Sequence, residues 1–269
     1  MEKIGVGIVT YNRGQLFQKS IQSLPPADEV IVVNDGNPYP DSFYPSLITS
    51  VIQHDRNRGV GRSKNDALEY LLGQGCVHIF LLEDDIKIIN PDIFRIYIHA
   101  SELSGIKHFN FAYHGSENKN NDGSCTKPRK IVSYKEGITI SFHRHLLAAM
   151  QYFHRDVLEQ CGLMDPFFHN MLEHIDHTYR IIKHGFHPPF WWFADIEGSQ
   201  NSIEDLDPFH LNSTIRNNSF VFGVKERISH RYFWLKHGQR IPNIPDVSEN
   251  EVEKQLERIR LNYSTISLK

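Results

Sequence analysis

The chain has 269 residues, of which 40% are hydrophobic and 23% charged, with a net charge of −3. That composition belongs to a globular protein able to bury a large core, and it supplies no basic field for nucleic acid. No apolar run nears the ~20 residues of a membrane span, and three cysteines without a CxxC pair point to free thiols in a reducing compartment. The first residues enter a strand pattern at once, so no secretory leader is expected and the protein is expected in the cytoplasm.

The first third alternates short apolar runs with helical spacing. Ile4-Gly5-Val6-Gly7-Ile8-Val9 is rich in β-branched residues and predicts a strand, ending in the polar turn Thr10-Tyr11-Asn12-Arg13-Gly14. Leu16, Phe17, Ile21 and Leu24 repeat at helical spacing, and Pro25-Pro26 closes that helix. Glu29 to Val33 predicts a second strand before Asn34-Asp35-Gly36, and Val51 to His54 a weaker third. The turn Asn57-Arg58-Gly59-Val60-Gly61 leads into a helix over 62–72. His78-Ile79-Phe80-Leu81-Leu82 is the fourth strand, and it runs into Glu83-Asp84-Asp85.

Strands alternating with helices predict right-handed crossovers and a mostly parallel α/β sheet. In such sheets ligands bind outside the carboxyl ends of the strands. The three polar clusters Thr10-Tyr11-Asn12, Asn34-Asp35-Gly36 and Glu83-Asp84-Asp85 all fall at such ends. Three adjacent carboxylates repel one another unless a cation neutralises them, and a hard divalent metal, Mg²⁺ or Mn²⁺, is the natural partner. Polar loops are common anyway, but that alone does not explain why acids and amides dominate each cluster.

The segment over roughly 3–90 resembles the nucleotide-sugar-binding half of GT-A fold transferases, specifically glycosyltransferase family 2. The matching pieces, in order, are Val9-Thr10-Tyr11-Asn12-Arg13, Val32-Val33-Asn34-Asp35-Gly36, Asn57-Arg58-Gly59 through Ser63-Lys64-Asn65, and Leu82-Glu83-Asp84-Asp85. The resemblance implies a metal-dependent, inverting transferase whose donor is a nucleotide-diphosphate sugar, in this family usually a UDP-sugar. It implies that Thr10, Tyr11 and Asn12 lie beside the base, that Asp35 accepts a hydrogen bond from it, and that Asn57 belongs to the same pocket. Lys64 stands where the family usually has Arg and would reach the base or a phosphate. Glu83 replaces the usual first Asp of the acidic motif, Asp84 would face the ribose or sugar, and Asp85 would touch the metal.

The acceptor half is expected over 91–245, completing one domain, with a helical extension over 246–269. Phe109 to Tyr113 and Ile138 to Phe142 predict strands, and Leu146 to Cys161 predicts a helix. Gly115 to Ser124 is a polar loop, either a lid over the donor or a surface insertion. Glu173-His174-Ile175-Asp176 stands where the family reads Glu-Asp-x-Asp at the start of a helix, and the second acid there is the usual general base. His174 occupies that position. An imidazole can act as base near neutral pH, and Glu173 and Asp176 are the alternatives. An ion pair from Asp176 to Arg180 is an equally physical use of that helix face. His174 and His177 are spaced i, i+3 with Glu173 before the first, unlike a zinc protease helix.

Phe186 to Phe193 predicts an aromatic strand, packed as core or stacked on a sugar. Where the family often places a metal-binding His, this chain has Glu197, with His210, His230 and His237 further on. Ser248 and Glu251 form a capping box opening a charge-rich last helix, a surface element or a homo-oligomer contact. A glycan, glycolipid or protein acceptor is compatible, and a lipid-linked one would place the enzyme at the inner face of the membrane. A nucleotidyltransferase and a non-catalytic sugar-nucleotide or glycan-binding module are the rival readings. The first lacks a Gly-rich basic loop after the first strand.

Overall fold

The structure is a computed structural model, and it describes residues 2–169, 171–208 and 219–266, with side chains of the last stretch given for 222–262. The predicted strands appear as β1 (Ile4–Thr10), β2 (Glu29–Asn34), β3 (Ser50–Gln53) and β4 (His78–Glu83). They pair in parallel in the order β3-β2-β1-β4. Alternate side chains of these strands point to opposite faces. Val6, Ile8, Val30, Val32, Phe80 and Leu82 enter one core cluster; Ile31, Val33, Ile79 and Leu81 enter a second. Both faces are therefore covered, which is why the strands read as continuous apolar runs.

Helix α1 (Gly14–Gln22) covers the first face through Phe17 and Ile21. Helix α2 (Val60–Gly73) covers the second through Ala67, Leu68 and Leu71. Gly7 lets α2 approach β1, since a Cβ there would lie 2.9 Å from the Ala67 methyl. After β4 the chain makes β5 (Ile86–Ile88), α3 (Ile93–Ser104), the short β6 (His108–Asn110), β7 (Lys130–Ser133) and β8 (Thr139–His143).

The helix expected over 146–161 is half wrong. Met150–His154 forms β9, antiparallel between β4 and β6, and only Arg155–Cys161 is helical, as α4. Pairing on both edges overrides the helix-favouring Leu-Leu-Ala-Ala-Met run. The aromatic strand is also shifted: after α5 (Glu173–Lys183), β10 spans Phe193–Ile196, while Trp191 takes a left-handed φ of 74° that no strand accommodates. Strand β10 joins β8 and β7 in a small antiparallel sheet, and β11 (Ile203–Asp205) pairs with β5.

Helix α6 (Ser219–His237) and helix α7 (Glu249–Ile266) complete the chain. The helical extension expected over 246–269 packs on the main core. Val252, Leu256 and Ile259 of α7 are buried in the first cluster, and Gly105 at the end of α3 leaves room for the Ile259 carbonyl. Its charges occupy only the outer face, and Glu249 and Glu253 both bind Lys130. Cys76, Cys125 and Cys161 are free thiols, as expected. No helix among the described residues is long and apolar enough to cross a membrane.

Candidate active site

The polar clusters do converge at the carboxyl ends of β1, β2 and β4. Asp84 and Asp85 are fully buried just beyond β4. Thr10, the last residue of β1, donates a 2.6 Å hydrogen bond to Asp84 Oδ2. Tyr39 lies 2.8 Å from the same hydroxyl and accepts the Arg13 amide at 3.0 Å. The Arg13 guanidinium bridges the two acids, to Asp84 and at 2.8 Å to Asp85 Oδ2. Asp85 Oδ1 faces His114 Nε2 at 3.4 Å, and His114 also lies 3.7 Å from Asp205.

Two adjacent buried acids around one guanidinium do not share charge equally. Burial pushes Asp84 up. Burial also pushes on Asp85, but His114 and Arg13 outweigh it and hold that carboxyl below the usual range. Asp85 is thus the anionic member of the pair. Pairing of β11 with β5 carries two more acids here: Leu206 N–H donates to the Asp85 carbonyl at 2.8 Å, Asp205 binds Lys119 at 3.1 Å, and Asp207 lies 4.0 Å from Arg13.

The remaining donor-side residues fall at the same rim. Asn12 is exposed with φ 55° and accepts the Asn37 amide at 2.8 Å, tying the ends of β1 and β2 together. Tyr11 is half-buried and Asn57 exposed. Asp35 is buried and takes the amides of Arg58 at 2.7 Å and Gly59 at 2.9 Å, with His54 at 2.6 Å. It therefore shapes the 55–59 turn from inside. The polar loop over 115–124 is pinned by Asn118, whose amide donates to the carbonyls of Ala112 and His145.

Lys64 departs from the expectation of direct donor contact. Its side chain is fully buried, and Nζ donates to Glu83 Oε1 at 2.9 Å and Glu173 Oε1 at 3.1 Å. One ammonium thus joins the end of β4 to the first residue of α5. Burial alone would raise the Glu173 carboxyl, but Lys64 and then His174 hold it well below the ordinary range. A depressed acid stabilises the fold above its unfolded pKa of about 4.3, and that contribution is lost as pH falls below it. Lys64→Met takes the ammonium from two carboxylates, one of them buried, and is expected to destabilise by about 3–5 kcal/mol at neutral pH. The deficit is expected to shrink as pH falls from neutral to ~4, because the buried Glu173 without Lys64 takes a proton above the free carboxyl value, and urea denaturation at the two pH values checks this.

Helix α5 sorts the three candidate bases by access. Asp176 is fully buried and held by Arg180 at 3.1 Å, Lys236 at 2.9 Å and His237 at 2.7 Å. Glu173 is buried beneath Lys64. His174 is half-buried, with Nδ1 3.2 Å from Glu173 Oε1. Leu172, just before the helix, holds a left-handed φ of 63°, and Gly59 makes room for the preceding loop at His169. His177 donates to the Gly162 carbonyl at 2.8 Å, and burial pushes its imidazole down to about 3, which removes it from any His pair.

Glu197 lies in the exposed turn after β10, its amide bonded to Thr139, and the groups that meet Asp85 are Arg13 and His114 instead. His230 is exposed on α6, His237 is taken up by Asp176, and His210 lies outside the described residues. Arg13, Tyr39, His114, Asp205 and Asp207 went unassigned in the sequence, although the run Glu204-Asp205-Leu206-Asp207 carries a visible cluster of acids.

Among the described residues no group of three or more His, Cys, Asp or Glu is arranged to hold a metal ion. The donor set at Asp85 nonetheless fits one that is completed by substrate. Oδ1 is buried and turned toward the His114 imidazole at 3.4 Å, away from Arg13, which holds Oδ2. A carboxylate with an imidazole suits Mn²⁺, and such ions commonly take one or two protein ligands and the rest from phosphate and water.

The profile of Glycosyl transferase family 2 matches residues 5–160. No curated protein sequence matches the chain. Among solved structures, S. aureus TarS 1-349 superposes with a TM-score of 0.58 at 14% identity, over 97% of this chain and 71% of that one. The same protein in complex with UDP-GlcNAc gives 0.52 at 15% identity, over 97% and 72%. Likeness at that identity is likeness of fold, and the shared architecture is GT-A.

Proposed function

The chain belongs to glycosyltransferase family 2 and is a glycosyltransferase, and on that premise we propose an inverting, metal-dependent transfer from a UDP-sugar to a hydroxyl acceptor. The observation that carries this reading is the Lys64 bridge. It ties Glu83, at the acidic end of β4, to Glu173, the residue before His174 on α5.

Tyr11, Asn12 and Asn57 line the rim where the nucleotide would lie, with Thr10 and Asp35 buried behind it. Asp85 and His114 would hold the divalent ion, which when bound neutralises the leaving diphosphate. His174 is the base. Glu173 accepts a hydrogen bond from Nδ1–H, which leaves the Nε2 lone pair free to take the acceptor's hydroxyl proton. The freed oxygen attacks the anomeric carbon, and the bond to the diphosphate breaks with its electron pair going to the phosphate oxygen. Attack opposite the leaving group turns an α-linked donor into a β-glycoside. Lys64 keeps Glu173 anionic, so the imidazolium formed in the step meets a negative charge.

Calorimetry with UDP and a set of UDP-sugars, with and without Mn²⁺, tests the reading. Binding that requires Mn²⁺ is the expected result. No binding of any nucleotide sugar would remove the donor assignment.

A further inference from the structure

A cavity of about 200 Å³ opens beside α5, lined by Ile175, Leu146, Phe190, Trp191 and Arg144, with Glu117 at its rim. We propose that it is the acceptor subsite and that it takes a single pyranose ring of a glycan. The proposal rests on the transferase reading above and names the substrate class of that site.

Two walls connect the cavity to the chemistry. Ile175 is the residue after His174. Glu117 lies three residues past His114, on the loop that Asn118 pins to the carbonyls of Ala112 and His145. The cavity thus takes one wall from the first turn of α5, which carries His174, and one from the loop that follows His114. Its floor is aromatic: Phe190 and Trp191 pack edge to face at 4.9 Å, and Arg144 lies 5.0 Å from the Trp191 ring. The rim is polar and open, with the side chains of Glu117, Arg144 and His145 at 62%, 52% and 42% exposure. Aromatic and aliphatic side chains in the lining with hydrogen-bonding groups at the rim match a sugar, which presents C–H bonds on its faces and hydroxyls at its edge. Drug-sized ligands use roughly 300–1,000 Å³, so this space admits one ring.

Backbone strain points to the same place. Among the described residues four non-glycine residues have positive φ: Asn12 at the donor rim, Leu172 at the start of α5, Glu136 in the turn between β7 and β8, and Trp191, which lines this cavity at 74°. A left-handed aromatic persists only where its surroundings hold it. Here the Trp191 indole N–H donates to the Ile244 carbonyl at 2.8 Å and its own carbonyl accepts from Arg129 at 2.8 Å.

The test fills the cavity and watches donor and acceptor separately. In Ile175→Trp, the acceptor KM is expected to rise about tenfold, a change of ~1.4 kcal/mol, while Mn²⁺-dependent UDP binding and slow hydrolysis of the UDP-sugar persist. An unchanged acceptor KM in a variant that still binds UDP overturns the subsite. A second measurement on the wild type does not depend on that variant folding. With fluorotryptophan incorporated, the Trp191 resonance, assigned by Trp191→Phe, is expected to shift on adding methyl glycosides of glucose, galactose or N-acetylglucosamine. A resonance that ignores all three overturns the proposal. Failure of the transferase reading shows elsewhere, as loss of UDP-sugar binding in the wild type, and the indole measurement still decides the pocket.

Discussion

Asp85→Ala is expected to lower transfer on the order of 10³-fold, the scale of removing one preorganised electrostatic contact to the developing charge. Of the two buried acids beyond β4, Asp85 is the one held anionic against burial, because His114 and Arg13 both face it. Removing it takes away the carboxylate that would hold the cation, and His114 alone is a poor site for a hard ion. The readout that separates this from a fold defect is calorimetry: UDP affinity in the variant is expected to become indifferent to Mn²⁺. Asp84→Asn is the control. Asp84 holds Thr10 and Arg13 in place and is the more easily protonated partner, so an amide is expected to be tolerated far better there. Full activity in Asp85→Ala would remove the metal site from the mechanism.

The first ninety or so residues were open to sequence reasoning because their information is local. Each of β1, β2 and β4 is a run of β-branched or aromatic residues that ends in a turn-forming polar cluster, and the doubly covered sheet makes every residue of the run apolar. Position in such a sheet then dictates that the ends meet. The acceptor half depends on pairings that no local pattern carries. Met150–His154 is a strand only because β4 and β6 flank it. Asp205 and Asp207 reach the site only because β11 folds back on β5. Lys64 finds Glu173 across 109 positions of sequence. Glu197 was assigned a ligand role by its position in a family pattern, whereas His114, on the far side of a loop, is the group that the fold brings to Asp85.

The same long-range contact decides the base. His174→Ala is expected to reduce kcat by roughly 10²–10⁴-fold, the usual range for a positioned proton acceptor, with donor KM and UDP affinity close to wild type. Its neighbours on α5 predict different phenotypes. Asp176 is buried under Arg180, Lys236 and His237, so Asp176→Asn is expected to lower stability and to affect catalysis only through the loosened helix. Glu173→Gln keeps the side chain's shape but no longer places an anion beside the imidazole or a second carboxylate on Lys64. It is expected to lower kcat less than His174→Ala and to shift the pH profile, because Glu173 acts through the ring it orients. Slow hydrolysis of the UDP-sugar gives an internal standard, since water needs less help than a bound hydroxyl held against His174. Loss of transfer with hydrolysis retained in His174→Ala identifies the base. Equal loss of both in His174→Ala, or a larger loss of transfer in Asp176→Asn, would move the proton to another group and leave His174 as a residue that only contacts the acceptor.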